Sequence, residues 1–398
     1  MDPYIEHKYF LCKNRIIFSY FILNQIIVNC YSILPKELIN IICLNYLSLH
    51  NDKLIDSGGH FFVINTKKGL FGMGDDHNGF FRMGDNNNGE LGIGEYNDKT
   101  KLRFICNNVK TFSCGDNHML ILRNDILYGC GSNGFGQLGL GDQIYFNQLT
   151  KINIKNVLLI ECGYVFSYVL TRDGLFSCGD NQCGQLGITS LDTDSDDFTK
   201  VDDGKIPIFT KININNVITL SCGGTHVLII NDDGLYGCGS NTLGQLGLDE
   251  NTYWVFTKIN ILNVFAISCG GHHSMVLTSE GLYSSGSNYF GELGDSFSRI
   301  RDRKTFQKIK LDNIISFSCK YSNSIVLTKK GLYVCDKKIT FREITEMGLP
   351  KDIFYFYHGT NIVSIINKNG LFIKSTKKSY YQKYYDYHST FHKIDIDI

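Results

Sequence analysis

The stretch GLYGCGSNTLGQLG, Gly234 to Gly247, has close copies from one end of the chain to the other, and a chain of copies folds as a repeat architecture. The copies read DILYGCGSNGFGQLG from Asp125, DGLFSCGDNQCGQLG from Asp173 and EGLYSSGSNYFGELG from Glu280. A first version, KGLFGMGDD, stands at Lys68, and shortened ones stand at Lys330 (KGLYVCD) and Asn369 (NGLF), which makes seven. One leucine in each copy serves as a ruler: Leu70, Leu127, Leu175, Leu235, Leu282, Leu332 and Leu371, with gaps of 57, 48, 60, 47, 50 and 39. The two long gaps hold insertions. In the first, GMGDDHNG (Gly72 to Gly79) is nearly repeated ten residues on as RMGDNNNG; the second contains the acidic run Leu191 to Asp203. Without them the first five gaps are close to 48 residues.

Each unit has one grammar, clearest at Lys211 to Gly247. KINI alternates, NNVITLSCGG is an apolar run closed by a Gly-Gly turn, THVLIIN is a short strand ending at NDDG, and LYGCG precedes the SNTLGQLG loop. Short apolar segments bounded by Gly, Asn and Asp at this density read as all-β. Four strands per unit, seven times, predict a seven-bladed β-propeller over residues 54–398, behind a short α-helical extension over residues 1–53. The chain enters the cycle at SGG and leaves it at KIDIDI. That phase predicts that the last strand, His392 to Ile398, meets the first blade and closes the ring.

Composition narrows the function classes. With 43% hydrophobic residues the chain can build a large core, and 39 basic against 39 acidic residues leave no field favouring nucleic acid or an anionic membrane. There is one alanine, Ala266, and only four prolines, yet 40 glycines remain, which implies that turn geometry holds them in place. Four cysteine pairs follow the repeat: Cys114 with Cys130, Cys162 with Cys178, Cys222 with Cys238 and Cys319 with Cys335, each 16 apart. In the fifth unit Ser285 stands where the partner of Cys269 would be. Such pairs fall on the first and third strands of a meander, roughly 9 to 10 Å apart and beyond disulfide reach. Free thiols and an intracellular, reducing compartment are expected; no CxxC points to zinc.

Residues 16–35 carry no charge, but Asn24, Gln25 and Asn29 interrupt them, so a packed helix is expected rather than a membrane anchor. The next segment, ILPKELINIICLNYLSL, has Pro35 suited to a first helical turn and Leu34, Leu38, Ile41 and Ile42 at helical spacing. It resembles the opening of an F-box through Leu34, Pro35, Glu37, Leu38, Ile41, Ile42, Tyr46 and Leu47, although an F-box is about twice as long. That resemblance implies a Skp1-like linker protein as partner and a role as substrate adaptor of a ubiquitin ligase. A capping helix is the alternative.

The pattern Leu-Tyr-x-x-Gly-x-Asn-x-x-Gly-Gln-Leu-Gly, followed by Cys-Gly-x-x-His and a hydrophobic strand, resembles the regulator of chromosome condensation repeat family over about residues 54 to 340. The family implies the propeller. It does not imply one function, since it includes an exchange factor for the small GTPase Ran, ubiquitin-ligase components, photoreceptors and scaffolds.

Candidate chemistry is sparse. His118, His226 and His273 stand nine residues before their ruler leucines and His60 stands ten, so they are repeat-equivalent; the same slot holds Phe166 and Asn323 elsewhere. Hydrogen-bonding turn residues are expected, not a catalytic set, and no enzyme and no cofactor are predicted. The GxGxxG-like glycines Gly129, Gly131 and Gly134 sit between strands with no helix to bind a pyrophosphate. Asp192, Asp194, Asp196, Asp197, Asp202 and Asp203 lack the glycine and the terminal glutamate of a calcium loop. They read as an acidic insertion able to touch a basic partner. Arg299, Arg301, Arg303 and Lys304 read as a basic, solvated loop. The expected function is a monomeric, non-catalytic scaffold for other proteins, with an F-box-type adaptor and a Ran-type exchange factor as alternatives. Alkylation of unreduced protein followed by mass spectrometry should find every repeat-phased cysteine alkylated; a Cys222–Cys238 crosslink would contradict the strand assignment.

Overall fold

In a computed structural model, backbone and side chains are described for residues 53, 55–59, 61–74, 89–94, 102–188, 204–294 and 302–335, and strand backbone for five segments between 341 and 394. The expected helical extension, including Leu34, Pro35, Leu38, Ile41 and Ile42, lies outside them, as does the acidic insertion, Asp192 to Asp203.

The strands form four-stranded antiparallel sheets, each from four consecutive strands. The fold is an all-β propeller. Blades 1 to 6 run over Ile55–Cys106, Val109–Ile152, Val157–Lys211, Val217–Ile259, Val264–Lys308 and Ile314–Glu343. A further sheet of the same order, from Ile353–His358 to His392–Ile394, is described in its backbone alone. Six packed blades plus this sheet are therefore what stands for the expected seven-bladed ring.

One expectation is overturned. The last strand, His392–Ile394, pairs with Gly370–Ser375 of its own sheet, and the fourth strand of blade 1 is Arg103–Cys106. Among the described residues no strand is exchanged between the ends, because the repeat phase makes SCGG the first strand of a blade and KINI the end of its fourth. The first strands of blades 1 to 6 each lie against the first strand of the sheet that follows.

The cores lie between blades rather than within them. One joins Phe166, Tyr168 and Leu175 of blade 3 to Val227, Ile229 and Cys238 of blade 4. Blades 1 and 2, 2 and 3, 4 and 5, and 5 and 6 share cores of the same kind. The ruler leucines Leu70, Leu127, Leu175, Leu235, Leu282 and Leu332 are all fully buried in this packing.

The glycine closing each first strand has a steric cause. A Cβ at Gly58, Gly115, Gly163, Gly223 or Gly270 would fall inside the ring of Phe61, His118, Phe166, His226 or His273 on the second strand. In blade 6 the ring is replaced by the smaller Asn323, and there the glycine position carries Lys320. Gly223→Ala should therefore cost on the order of 1–3 kcal/mol through overpacking, read as a lowered Tm; an unchanged melting curve would refute the ring-on-glycine constraint.

Candidate functional site: the blade junctions, the axial mouth and the outer rim

The SNxxGQLG loop leaves the third strand and docks on the next blade. In blade 2, Asn133 accepts from the Leu138 amide at 2.8 Å and donates to Gly141 and Gln143 carbonyls, while Gln137 accepts from the Phe135 amide at 2.9 Å. Asn181 with Gln185, and Asn241 with Gln245, repeat these bonds in blades 3 and 4. Gly136, Gly184 and Gly244 have φ of 78, 75 and 87, in the left-handed region that favours glycine. A side chain there would also meet the backbone of Pro207, Trp254 or Lys304 on the following blade's fourth strand.

The third-strand cysteines act at the same junction. Cys130, Cys178 and Cys335 donate their S–H to the carbonyls of Glu90, Gln137 and Glu292 in the preceding blade's loop, at 3.2, 3.4 and 3.3 Å. Ser285 in the fifth unit donates to Gly244 at 2.5 Å. The described cysteines are free thiols, most of them buried, and burial pushes up the pKa of Cys162, Cys269 and Cys319.

The histidines are a third blade-to-blade contact. His118, His226 and His273 are fully buried, with Nε2 at 2.8, 2.8 and 2.7 Å from the hydroxyls of Ser167, Ser274 and Ser324 on the next blade. Because the Ser167 hydroxyl donates to the Gln137 carbonyl, His118 Nε2 carries the proton and donates; its Nδ1 has no partner. Where the slot holds Phe61 or Phe166, the facing position on the next blade is Met119 or Val227. The two slots are thus matched in polarity. Phe61, not His60, occupies the slot in blade 1, since Phe61 pairs with Gly74 as His118 pairs with Gly131; His60 itself lies outside the described residues.

At the mouth of the axis, the first-to-second-strand turns are linked around the ring. The Gly59 amide donates to Asp116, Asp116 to Tyr164, Gly224 to Gly271 and Gly271 to Tyr321. Tyr164 of blade 3 stacks on Tyr321 of blade 6 with centroids 5.1 Å apart, and the Tyr321 hydroxyl donates to Asp116 at 2.9 Å. Beside them lies a charged group. Asp56 is 1% exposed, accepts from the Cys114 amide at 2.9 Å and pairs with Lys53 at 2.6 Å and Lys320 at 3.6 Å. Burial opposes the Asp56 charge, but Lys320 and Lys53 outweigh it and hold the carboxyl down to about 2. The Glu161 carboxyl is pushed up by burial, against the pull of Lys53. Sequence reading missed this cluster; its signal was Asp56 and Glu161 in a slot that is Ser113, Ser221, Ser268 and Ser318 elsewhere.

The expected basic loop is corrected in part. Arg303 and Lys304 belong to the strand Asp302–Lys308, and Arg303 is buried at 8% exposure, donating to Ser284 Oγ at 3.0 Å. Arg299 and Arg301 lie outside the described residues. Gly129, Gly131 and Gly134 lie in a strand and the loop that leads to the next strand, as expected. Among the described residues no group of three or more His, Cys, Asp or Glu could hold a metal ion, and no helix is long and apolar enough to cross a membrane.

The outer rim carries exposed apolar residues that do not recur in every blade. Ile208 is 63% exposed and Val255 48%, at equivalent positions on the fourth strands of blades 3 and 4, beside Trp254 at 43%. Gln148 and Thr305 occupy that position in blades 2 and 5. Ile144 and Tyr145 of blade 2 are exposed as well, and so is Phe135, whose ring lies 5.9 Å from Lys205 Nζ of blade 3.

Two descriptions of the regulator of chromosome condensation (RCC1) repeat match the chain, one at residues 172–230 and 232–277, the other at 109–137, 157–185, 217–245 and 266–292. The protein is an RCC1-repeat propeller. It is similar in structure to yeast RCC1 (Prp20) crystallised with Kap60, with a TM-score of 0.60 and 18% identity over 77% of each chain. Human WBSCR16 matches with a TM-score of 0.58 and 20% identity over 67% of this chain and 77% of that one. Prp20p from Saccharomyces cerevisiae, described with its binding to Gsp1p and histones, matches at 0.52 and 19% identity over 66% and 65%. At such identities the likeness shows the fold. No curated protein matches the sequence. The RCC1 repeat thus reads as a set of junction residues: loop and histidine face the next blade, and the thiol faces the preceding one.

The buried histidines give a pH prediction. Burial lowers the pKa of each from 6.5 to about 3. Between those values the unfolded chain binds more protons than the folded one, so this contribution to stability is full above pH 6.5 and is lost as pH falls through the window. The limit is about 1.4 kcal/mol per pH unit per histidine. Glu292, pushed up by burial to about 7, works in the opposite sense, so the comparison with a variant is the readout. Replacing the His273–Ser324 pair by Phe and Val should flatten the acid limb of urea midpoints measured from pH 7.5 to 4.5; a slope equal to that of the wild type would contradict the assignment.

Proposed function

We propose that the protein is a non-catalytic interaction platform that binds a partner protein through the outer rim of blades 2 to 4. The observation that carries this reading is the contrast between recurring and non-recurring residues. The recurring histidines, cysteines, asparagines and glutamines are engaged in blade junctions, whereas Ile208, Trp254 and Val255 are exposed and specific to two blades. Exposed large apolar side chains that the repeat does not require are what a partner surface would cover. The acidic insertion with Asp192, Asp194, Asp196, Asp197, Asp202 and Asp203 directly precedes the fourth strand of blade 3 in sequence, which favours a partner with basic residues around an apolar contact.

A second reading, exchange of nucleotide on a Ran-like GTPase, is favoured by the likeness to Prp20p and its described binding to Gsp1p. The ubiquitin-ligase adaptor reading depends on Leu34, Pro35, Leu38, Ile41 and Ile42, which lie outside the described residues.

Affinity capture with the wild type and with Ile208→Asp/Trp254→Asp tests the rim. A specific, identified partner should be lost at least tenfold in the variant while the thermal melt stays the same; equal recovery refutes the rim as the binding surface. Accelerated nucleotide release from Ran by the wild type would replace the platform reading with the exchange reading.

A further inference from the structure

One position on each first strand, two residues before the closing glycine, is Ser113, Ser221 or Ser268 in blades 2, 4 and 5, and a carboxylate, Asp56 or Glu161, in blades 1 and 3. The position has a structural task. Ser113, Ser221 and Ser268 accept from the amides of Cys162, Cys269 and Cys319 on the following blade at 3.0, 2.9 and 2.8 Å, and Asp56 accepts likewise from Cys114 at 2.9 Å. Glu161 does not bond the Cys222 amide. Among the described residues its half-buried carboxylate accepts no hydrogen bond and makes no direct ion pair. A residue that gives up the junction bond and places a carboxyl in a desolvated position has a local cost, which points to a task outside the junction.

Glu161 is drawn towards two lysines. Tyr164, three residues after Glu161, stacks on Tyr321, which directly follows Lys320. Lys320 and Lys53 share Asp56, at 3.6 and 2.6 Å, and both act electrostatically on Glu161. The lysine side chains keep 21% and 26% exposure, so the space they border is open to solvent. Each ammonium has three donors. Lys53 uses one of them on Asp56, and Lys320 uses its bonds on Asp56 and the Cys114 carbonyl. The half-buried Ser221 and Ser268 hydroxyls, which accept amide bonds, keep their own protons for donation. Two lysines outnumber Asp56, and burial disfavours charge on Glu161, so the cluster is rich in donors and positive on balance.

We propose that Lys53, Lys320 and Glu161 form a binding site for a small free oxyanion, a carboxylate or a phosphate, beside the Tyr164–Tyr321 stack. The ammonium groups supply charge-assisted donors, and the protonated Glu161 carboxyl supplies another. That carboxyl is faced by Lys53 and Asp56 of blade 1, by Lys320 of blade 6, and by the Cys162, Cys222 and Cys269 thiols of blades 3, 4 and 5. Burial outweighs the pull of the lysines and holds the Glu161 pKa above its ordinary value. Raising the pH through that value turns a donor into a negative charge beside the anion, so affinity falls as pH rises.

Line broadening of [13C]formate, an anion at both pH 5.5 and pH 8.0, tests the site on the full chain. The wild type should show saturable broadening at pH 5.5 and bind about tenfold more weakly at pH 8.0. Glu161→Gln, a neutral donor at either pH, should bind equally at both. Lys53→Met, which leaves Lys320 on Asp56, should lose about tenfold at pH 5.5. If that variant does not fold, Glu161→Ser carries the comparison, since it restores the residue of the other blades and should weaken formate binding about fivefold. Displacement of formate at lower concentration by phosphate than by acetate identifies a phosphate ligand, and the reverse order a carboxylate. Broadening that does not saturate, that neither anion displaces, or that is equal in the wild type, Lys53→Met and Glu161→Ser refutes the site. The same fall with pH in Glu161→Gln as in the wild type refutes the role of Glu161.

Discussion

The packing of a second-strand ring onto the glycine that ends the first strand is the contact on which the rest depends. With Gly115, Gly163, Gly223 and Gly270 lacking Cβ atoms, His118, Phe166, His226 and His273 lie flat against the first strands. The far edge of each ring is then presented to the next blade, where a serine meets a histidine and an apolar side chain follows a phenylalanine. An unmatched pair would leave a buried polar group without its bond, at a cost of about 1–3 kcal/mol. Complementarity across each junction, rather than identity between units, is therefore what the fold requires.

The same logic explains residues that read as chemistry in isolation. A buried thiol 16 residues after another suggests redox or metal function, yet Cys130, Cys178 and Cys335 serve as weak donors to loop carbonyls, and Ser285 performs the same task. Burial raises the pKa of the Cys130 and Cys178 thiols, which works against thiolate reactivity. Packing at the blade junctions therefore accounts for these recurring thiols.

Much of the fold was legible because its cause is local. Glycine, asparagine and aspartate mark turns, and the ruler leucines fall in the inter-blade cores they predict. Ring closure was not legible, since sequence phase identifies the strands of a unit without saying which strand pairs with which. The His60 assignment failed for a related reason: spacing from the leucine differs by one residue in blade 1, and only strand register places Phe61 opposite Gly74. Of the candidate site, the acidic insertion and the F-box-like residues fall outside the described residues. The exposed rim residues were invisible because Ile208 and Val255 lie on strands that alternate like any others, and exposure of one face is a property of the assembled blades.

Blade 6 shows why departures from a repeat should be read together. Taken singly, Lys320 for glycine, Tyr321 for glycine and Asn323 for histidine look like erosion of the unit. They are physically coupled. The small Asn323 side chain leaves room for a Cβ at position 320; the Lys320 ammonium can then meet Asp56, and Tyr321 can reach Asp116 and Tyr164. Restoring the histidine alone would place its ring where Lys320 begins, and restoring the glycine alone would leave Asp56, nearly inaccessible to solvent, with one lysine instead of two. Removing one partner of a buried ion pair is costly, whereas the intact pair adds little net stability. The cluster is better understood as fixing which blades face each other across the axis than as a source of folding energy.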